Sequence, residues 1–351
     1  MSVKLRSVLA SMPAYVPGRT VPGAIKLASN ETAYPVLPYV VERIAEVAAS
    51  ANRYPDAGAV RLTEAIAARH DLPPSRVAVG CGSVALCQQL VQSVADEDDE
   101  VLYPWRSFEA YPIITAVAGA RSVQVQLKPD QSFDLDALAA AITDRTRLVF
   151  VCTPNNPTST VVTTEALNRL LDLVPESVLV AVDEAYREFV TDPSAVDART
   201  TLDRQNVVVL RTFSKAYGLA GMRVGYALAG DPAVATALRQ TQIPFAVSQV
   251  AQEAALASLE PDAEKQLMAR VDEVVAERGR VYDGLVGFGY AVPPTQANFV
   301  WLPLGEDTTA WVFGCEERGV IVRGFAGSGV RVTIGTPEEN DRFLAAAQAL
   351  V

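Results

Sequence analysis

The chain has one histidine, His70, and its four cysteines (Cys81, Cys87, Cys152 and Cys315) form no CxxC pair. A His-rich metal centre or a Ser–His–Asp triad would have to rest on His70 alone. The cysteine spacing fits reduced thiols in a cytoplasm better than a disulfide framework or a zinc site. No apolar run approaches the roughly 18 residues of a spanning helix. Met1 to Pro17 has no long apolar core behind its charges, so no secretory signal is expected there. Positive charge is also short: Lys+Arg 30 against Asp+Glu 41 leaves −11. Nucleic-acid phosphates and anionic membranes both favour the opposite balance. His70 closes a helical stretch over 62–70, beside Asp71, Pro73 and Pro74. It reads as a surface helix cap.

With 351 residues, half of them apolar, the chain can bury a large core and exceeds the usual single-domain size. The first forty residues are rich in Pro and Gly and read as an extended arm with turns. From about residue 75, short β-branched runs alternate with helical stretches. Strands are expected at 77–80, 101–103, 122–127, 148–152, 178–182, 207–210 and 224–229. Helices are expected at 84–94, 108–118, 135–142 and 164–173. The continuous apolar runs 178–182 and 207–210 suit strands buried on both faces. Such alternation implies right-handed crossovers and a largely parallel sheet covered by helices. After Asp231 the pattern changes to one long helical region over 246–285, then strands at 299–302, 320–323 and 330–334, with helices at 308–318 and from Pro337. The expected organisation is an arm over 1–34 joining the small domain, a large α/β domain over 35–245 and a small α+β domain over 246–351. The five consecutive acids Asp96–Glu100 read as a solvated loop.

Four segments carry candidate chemistry, each just after a strand. Cys81-Gly82-Ser83 opens a helix, where backbone amides and the helix dipole favour an anion, although tight turns use glycine anyway. Asn155-Asn156-Pro157-Thr158 reads as a turn with an amide donor. Asp183 ends an apolar strand, a costly place for a carboxylate unless a cation pairs with it. A protonated heterocyclic nitrogen would serve, with Tyr186 in reach of the same ligand; capping the next helix is the other reading. Lysine supplies only five of the 30 basic residues, and Lys215 lies just beyond the run 207–210, among hydroxyls and glycine. Burial there would lower its pKa and make it a nucleophile. The alternative is a snorkelling surface lysine.

Together with Gly221-Met222-Arg223-Val224-Gly225, these segments resemble the pyridoxal-phosphate-dependent aminotransferases of fold type I, class I/II, in the branch of histidinol-phosphate and aromatic amino acid aminotransferases. The resemblance covers essentially the whole chain and is most diagnostic over residues 212–225. It implies an α/β fold, a mostly parallel sheet flanked by helices, and pyridoxal 5'-phosphate as cofactor. Lys215 would carry the cofactor as a Schiff base and shuttle the proton. Asp183 would pair with the ring nitrogen, and Tyr186 and Asn156 would hydrogen-bond the phenolic oxygen. The phosphate would lie on Gly82, Ser83 and Val84 with Thr212, Ser214 and Arg223. Phe108 matches the aromatic that stacks on the ring. Tyr54 resembles the tyrosine that reaches the phosphate in a neighbouring subunit, which implies a homodimer with shared active sites. Arg331 matches the arginine for the substrate carboxylate, a role that suits a bidentate guanidinium. Arg323 either assists it or forms a surface ion pair. Tyr15 and Asn30 resemble substrate-facing positions. The family's asparagine turn usually continues Pro-Thr-Gly; here it is Pro157-Thr158-Ser159, so the backbone there differs if that glycine has a positive φ.

The segments 15–18, 81–89 and 105–111 look like the shorter aromatic-transaminase group of actinobacteria. The expected reaction moves the amino group of phenylalanine, tyrosine or tryptophan to 2-oxoglutarate. Histidinol phosphate is the alternative donor, and a lyase or decarboxylase would use the same cofactor residues. A transcription regulator with this domain would need a DNA-binding module for which the arm is too short.

Overall fold

A computed structural model of the chain describes residues 3–11 and 21–351. Two sheets organise it. The larger has seven strands, β2 (Val77–Gly80), β3 (Glu100–Trp105), β4 (Arg121–Gln126), β5 (Thr146–Cys152), β6 (Leu179–Asp183), β7 (Val207–Thr212) and β8 (Gly225–Ala229), in the order β2-β8-β7-β6-β5-β3-β4. Every pairing is parallel except those of β8, which runs against both β2 and β7. β2, β3, β5, β6 and β7 therefore deliver their carboxyl ends to one edge, where an open α/β sheet builds its ligand crevice. β5, β6 and β7 are buried on both faces apart from half-buried Arg147. Edge strand β4 alternates exposed and half-buried residues.

The smaller sheet joins β1 (Ile25–Leu27) to β9 (Phe299–Leu302), β10 (Val320–Phe325) and β11 (Gly329–Thr333), in the order β1-β10-β11-β9. β1 lies parallel to β10, so the described part of the arm completes a sheet built from the far end of the chain. β10 and β11 form an antiparallel pair in which Arg323 faces Arg331. Alternation along both strands then puts these two side chains on the same face.

Three expectations need correction. The long helical region is two helices, Gln249–Ser258 and Pro261–Gly287. Ser248 accepts from the Ala251 amide to start the first, and Pro261, which has no N–H to give, starts the second. The acidic run is not wholly solvated. Glu100 begins β3 and is buried, accepting from Thr143 Oγ1 at 2.6 Å and Arg145 Nη2 at 3.3 Å. His70 does stand at the C-terminal cap of the helix Val60–Arg69, but half-buried, with Nε2 3.1 Å from the Tyr226 hydroxyl. Burial, with Arg211 and Arg199 nearby, pushes its pKa down to about 3, so the ring stays neutral. Arg199 donates to Nδ1 at 3.3 Å, which leaves Nε2 to carry the proton toward Tyr226.

Candidate active site

The carboxyl edge of the large sheet and the β10–β11 face of the small one enclose a cavity of about 430 Å³. Lys215 lines it, three residues beyond the end of β7. It is not a snorkelling surface lysine. Its Nζ donates to the backbone carbonyls of Asn30 (3.0 Å) and Ser29 (3.3 Å), not to a carboxylate. Burial, with Arg331 adding to it, pushes the amine down to about 7, so much of it is the neutral nucleophile near neutral pH. The cavity's other lysine, Lys26, is ion-paired with Glu31 at 3.1 Å.

Asp183 ends β6 and is 3% exposed. It caps no helix. Tyr111 donates to Oδ2 at 2.9 Å, and Oδ1 is buried with no hydrogen-bond partner. Burial pushes its pKa up to about 6, against the pull of the Tyr111 hydroxyl and the Ala185 amide. A carboxylate in this state is completed by a cationic N–H from the cavity side.

An anion cradle lies beside them. The helix Gly82–Val94 begins at the carboxyl end of β2, and no side chain caps its N-terminus. Ser83 and Val84 line the cavity with Thr212, Ser214 and Arg223. Thr212 Oγ1 donates to Ser214 Oγ at 3.0 Å and accepts from the Ser214 amide. Arg223 Nη1 lies 3.4 Å from the same Ser214 oxygen. Gly82 does not line the cavity, but it sits under Arg223 with φ +77°, and a Cβ there would lie 2.6 Å from Nη2. The left-handed backbone favours glycine, and a Cβ there would push the end of the Arg223 side chain aside.

Asn156 also lines the cavity, while Asn155 is spent on the turn itself. Asn155 accepts from Ser107 Oγ at 2.8 Å and donates to Thr158 Oγ1 and to the Arg106 carbonyl. Ser159, where the family's glycine usually stands, has φ +65°. Its hydroxyl explains the substitution: Oγ bonds Thr295 Oγ1 at 2.7 Å and accepts from the amides of Gln296 and Ala297. Ser159→Gly should relax the backbone yet lose these bonds, for a net loss of about 1–3 kcal/mol. A lower urea midpoint at unchanged slope would confirm it; an unchanged midpoint would show that strain and bonds cancel.

Arg331 donates to Asn156 Oδ1 at 2.6 Å and to the Ala28 carbonyl at 2.8 Å. Opposite it, Arg323 pairs with Glu109 at 3.0 Å and also lines the cavity. Phe108 lines the wall next to Glu109. Asn30 and Tyr186 meet at one side, with Asn30 Nδ2 donating to the Tyr186 hydroxyl at 3.0 Å.

Among the described residues, Tyr54 joins Gly82 as an expected residue that does not line this cavity. Tyr54 is 82% exposed and stacks on Phe245 at 4.5 Å between ring centroids. Tyr15 lies outside the described residues. Conversely, sequence reasoning passed over Tyr111 and Glu109. Both lie in the quoted segment after β3, and neither carries a local signal of its part in the site.

The family model described as "Aminotransferase class I and II" matches residues 22–346. The chain belongs to that family. Similar class I and II aminotransferases include proteins named "Aromatic amino acid aminotransferase" from Streptomyces coelicolor (56% identical, 98% of this chain and 96% of that one) and Rhodococcus jostii (56% identical, 99% and 96%). Among solved structures, the histidinol-phosphate aminotransferase of Sinorhizobium meliloti in complex with pyridoxal-5'-phosphate superposes with a TM-score of 0.89 at 27% identity, over 100% of this chain and 99% of that one. A Thermus thermophilus aspartate aminotransferase mutant shares the fold, with a TM-score of 0.84 at 23% identity over 98% and 100%. The aminotransferase fold is α/β with a mostly parallel sheet, as expected from the strand–helix alternation.

The side chains present fit pyridoxal 5'-phosphate. Lys215 offers an amine, the open Oδ1 of Asp183 an acceptor for the ring N–H, and the uncapped helix with Ser214 and Arg223 a seat for the phosphate.

Proposed function

We propose that this aminotransferase acts on aromatic amino acids, using pyridoxal 5'-phosphate to pass the amino group of phenylalanine, tyrosine or tryptophan reversibly to 2-oxoglutarate. The single observation carrying the chemistry is a depressed lysine amine and a buried carboxylate with an open oxygen on one cavity. The aromatic donor rests on the name shared by relatives more than half identical over nearly their whole length. Phe108 on the cavity wall suits an aromatic ring.

When bound, the cofactor supplies an aldehyde for amine exchange and an electron-withdrawing ring that acidifies the substrate's α-carbon. Lys215 holds it and afterwards, as free amine, moves the α-proton. Asp183 keeps the ring nitrogen protonated, because its own ionisation is costly without that cation. Tyr186 and Asn156 address the phenolic oxygen. Arg331 takes the substrate carboxylate and thereby fixes which face of the α-carbon meets Lys215. We place Asn30 beside this machinery and Tyr15 in the arm as a substrate contact. Exposed Tyr54 supports a homodimer in which it reaches the partner's phosphate, and the thiol chemistry supports a cytoplasmic setting.

Steady-state kinetics with phenylalanine and with histidinol phosphate test the substrate. The expected result is a higher kcat/KM for phenylalanine. A strong preference for histidinol phosphate would replace the aromatic reading with a role in histidine biosynthesis, and keto-acid release beyond one equivalent per site without an acceptor would replace transamination with a lyase. Gly82→Ala should weaken cofactor affinity about 10- to 100-fold through the displaced Arg223 and the strained φ, read by fluorescence titration; an affinity within twofold would remove Gly82 from the cradle.

A further inference from the structure

Tyr186 can poise the cofactor only if its hydroxyl proton points into the cavity, and a phenol has one proton to direct. Something must decide between donating inward and donating sideways. Asn30 lies against the Tyr186 oxygen, fully buried, with a left-handed φ of +53° that asparagine tolerates. Its backbone carbonyl accepts from Lys215 Nζ at 3.0 Å and Asn298 Nδ2 at 3.2 Å. Its amide group is the ambiguous part. With Nδ2 toward Tyr186, the phenol oxygen accepts and its own proton is left for the cavity. With Oδ1 there, Tyr186 would donate to Asn30 and lose its inward donor.

Thr333, at the end of β11, breaks this symmetry. The Asn30 backbone N–H donates to Thr333 Oγ1 at 2.9 Å. The threonine's single proton then goes to Asn30 Oδ1 at 3.1 Å. Turning the amide over would strand that proton in a buried site, at the cost of an unmade hydrogen bond. Thr333 thus sets Asn30, and Asn30 sets Tyr186.

We propose that the Thr333–Asn30 pair is a positioning device that fixes the Tyr186 hydroxyl as a donor into the cavity, coupling the small sheet to the cofactor's phenolic oxygen. The proposal rests on the pyridoxal-phosphate reading above. A hydrogen bond donated to that oxygen draws off negative charge, so the proton on the adjacent Lys215 nitrogen is held less tightly and leaves at lower pH. Charged and titratable groups facing Lys215 and Tyr186 are Arg331 from β11, Glu31 after β1, Arg223 before β8, Asp183 from β6 and Cys152 from β5. None of them changes in the variants below.

The experiment is a pH titration of the visible absorbance of the cofactor-loaded protein. Thr333→Val should raise the midpoint by about 0.5–1 pH unit, the worth of one hydrogen bond. Thr333→Ser, which keeps the hydroxyl, should leave it in place. In a Tyr186→Phe background the same valine should produce no further shift. Thr333→Ala replaces the valine should that variant not fold. An unmoved midpoint in the valine or alanine variant, or an equal shift without the Tyr186 hydroxyl, overturns the proposal and leaves the cofactor reading intact. A wild-type protein that takes up no pyridoxal phosphate and shows no visible band overturns both.

Discussion

Lys215→Ala is expected to abolish transamination, with turnover falling at least about 10⁴-fold. The variant forfeits the anchoring amine and the proton carrier at once, and proton transfer alone is worth about 10²–10⁴. The loss should leave the fold intact. A lysine whose pKa falls from 10.5 to about 7 contributes stability that is present above 10.5 and lost as pH drops through 7. Near neutral pH the wild-type chain therefore already carries that burden, and removing the amine offsets the two carbonyl contacts it gives up. Cofactor-loaded wild type should absorb visible light, and the variant should not, while its circular dichroism and melting remain close to wild type. Lys26→Ala is the control, since that lysine is committed to Glu31. Retention of more than about 1% activity in the Lys215 variant would break the assignment, because no other route supplies the roughly 3 kcal/mol that 1% implies.

Asp183→Asn should slow turnover by about 10³-fold, since a neutral amide leaves the ring nitrogen without its anionic partner. The same substitution has an opposite effect on the cofactor-free protein. Burial raises the carboxyl from 3.8 to about 6. Between those values the folded state holds a proton that the unfolded chain has released, so stability is greatest below pH 3.8 and declines as pH rises through 6. The full difference is about 3 kcal/mol. Cofactor-free Asp183→Asn should lack this decline and resist urea better than wild type at pH 8, with the two converging near pH 4. Less stability than wild type at pH 8 would mean that the carboxylate has a cationic partner even without cofactor.

Much of this site could be read from order along the chain. Lys215, Asn156 and Ser83 each follow a strand and Asp183 ends one, and parallel strands gather such positions at one edge whatever the distance between them in sequence. The ranges of β9 and of the helix Thr164–Leu173 were equally plain, because apolar spacing and flanking turns agree there. The break before Pro261 was harder, as apolar periodicity continues across it. Burial of Glu100 escaped reading because it depends on partners more than forty residues away, at Thr143 and Arg145. Asn30 lines the cavity, but its side-chain bonds to Thr333, 303 residues distant, and to Tyr186 leave no local mark in the sequence. Ser159 shows the converse: a serine in a left-handed position looks like a defect until its three hydroxyl contacts are known.

The facing register of Arg323 and Arg331 has a consequence for selectivity. Both arginines ride on one hairpin, yet each guanidinium is tied to a loop of the larger sheet, Arg331 to Asn156 and Arg323 to Glu109, so their spacing follows how the hairpin sits against that sheet. In the proposed function Arg331 takes the substrate carboxylate, so a change at Glu109, which pairs with Arg323, is expected to alter side-chain preference before it alters that grip.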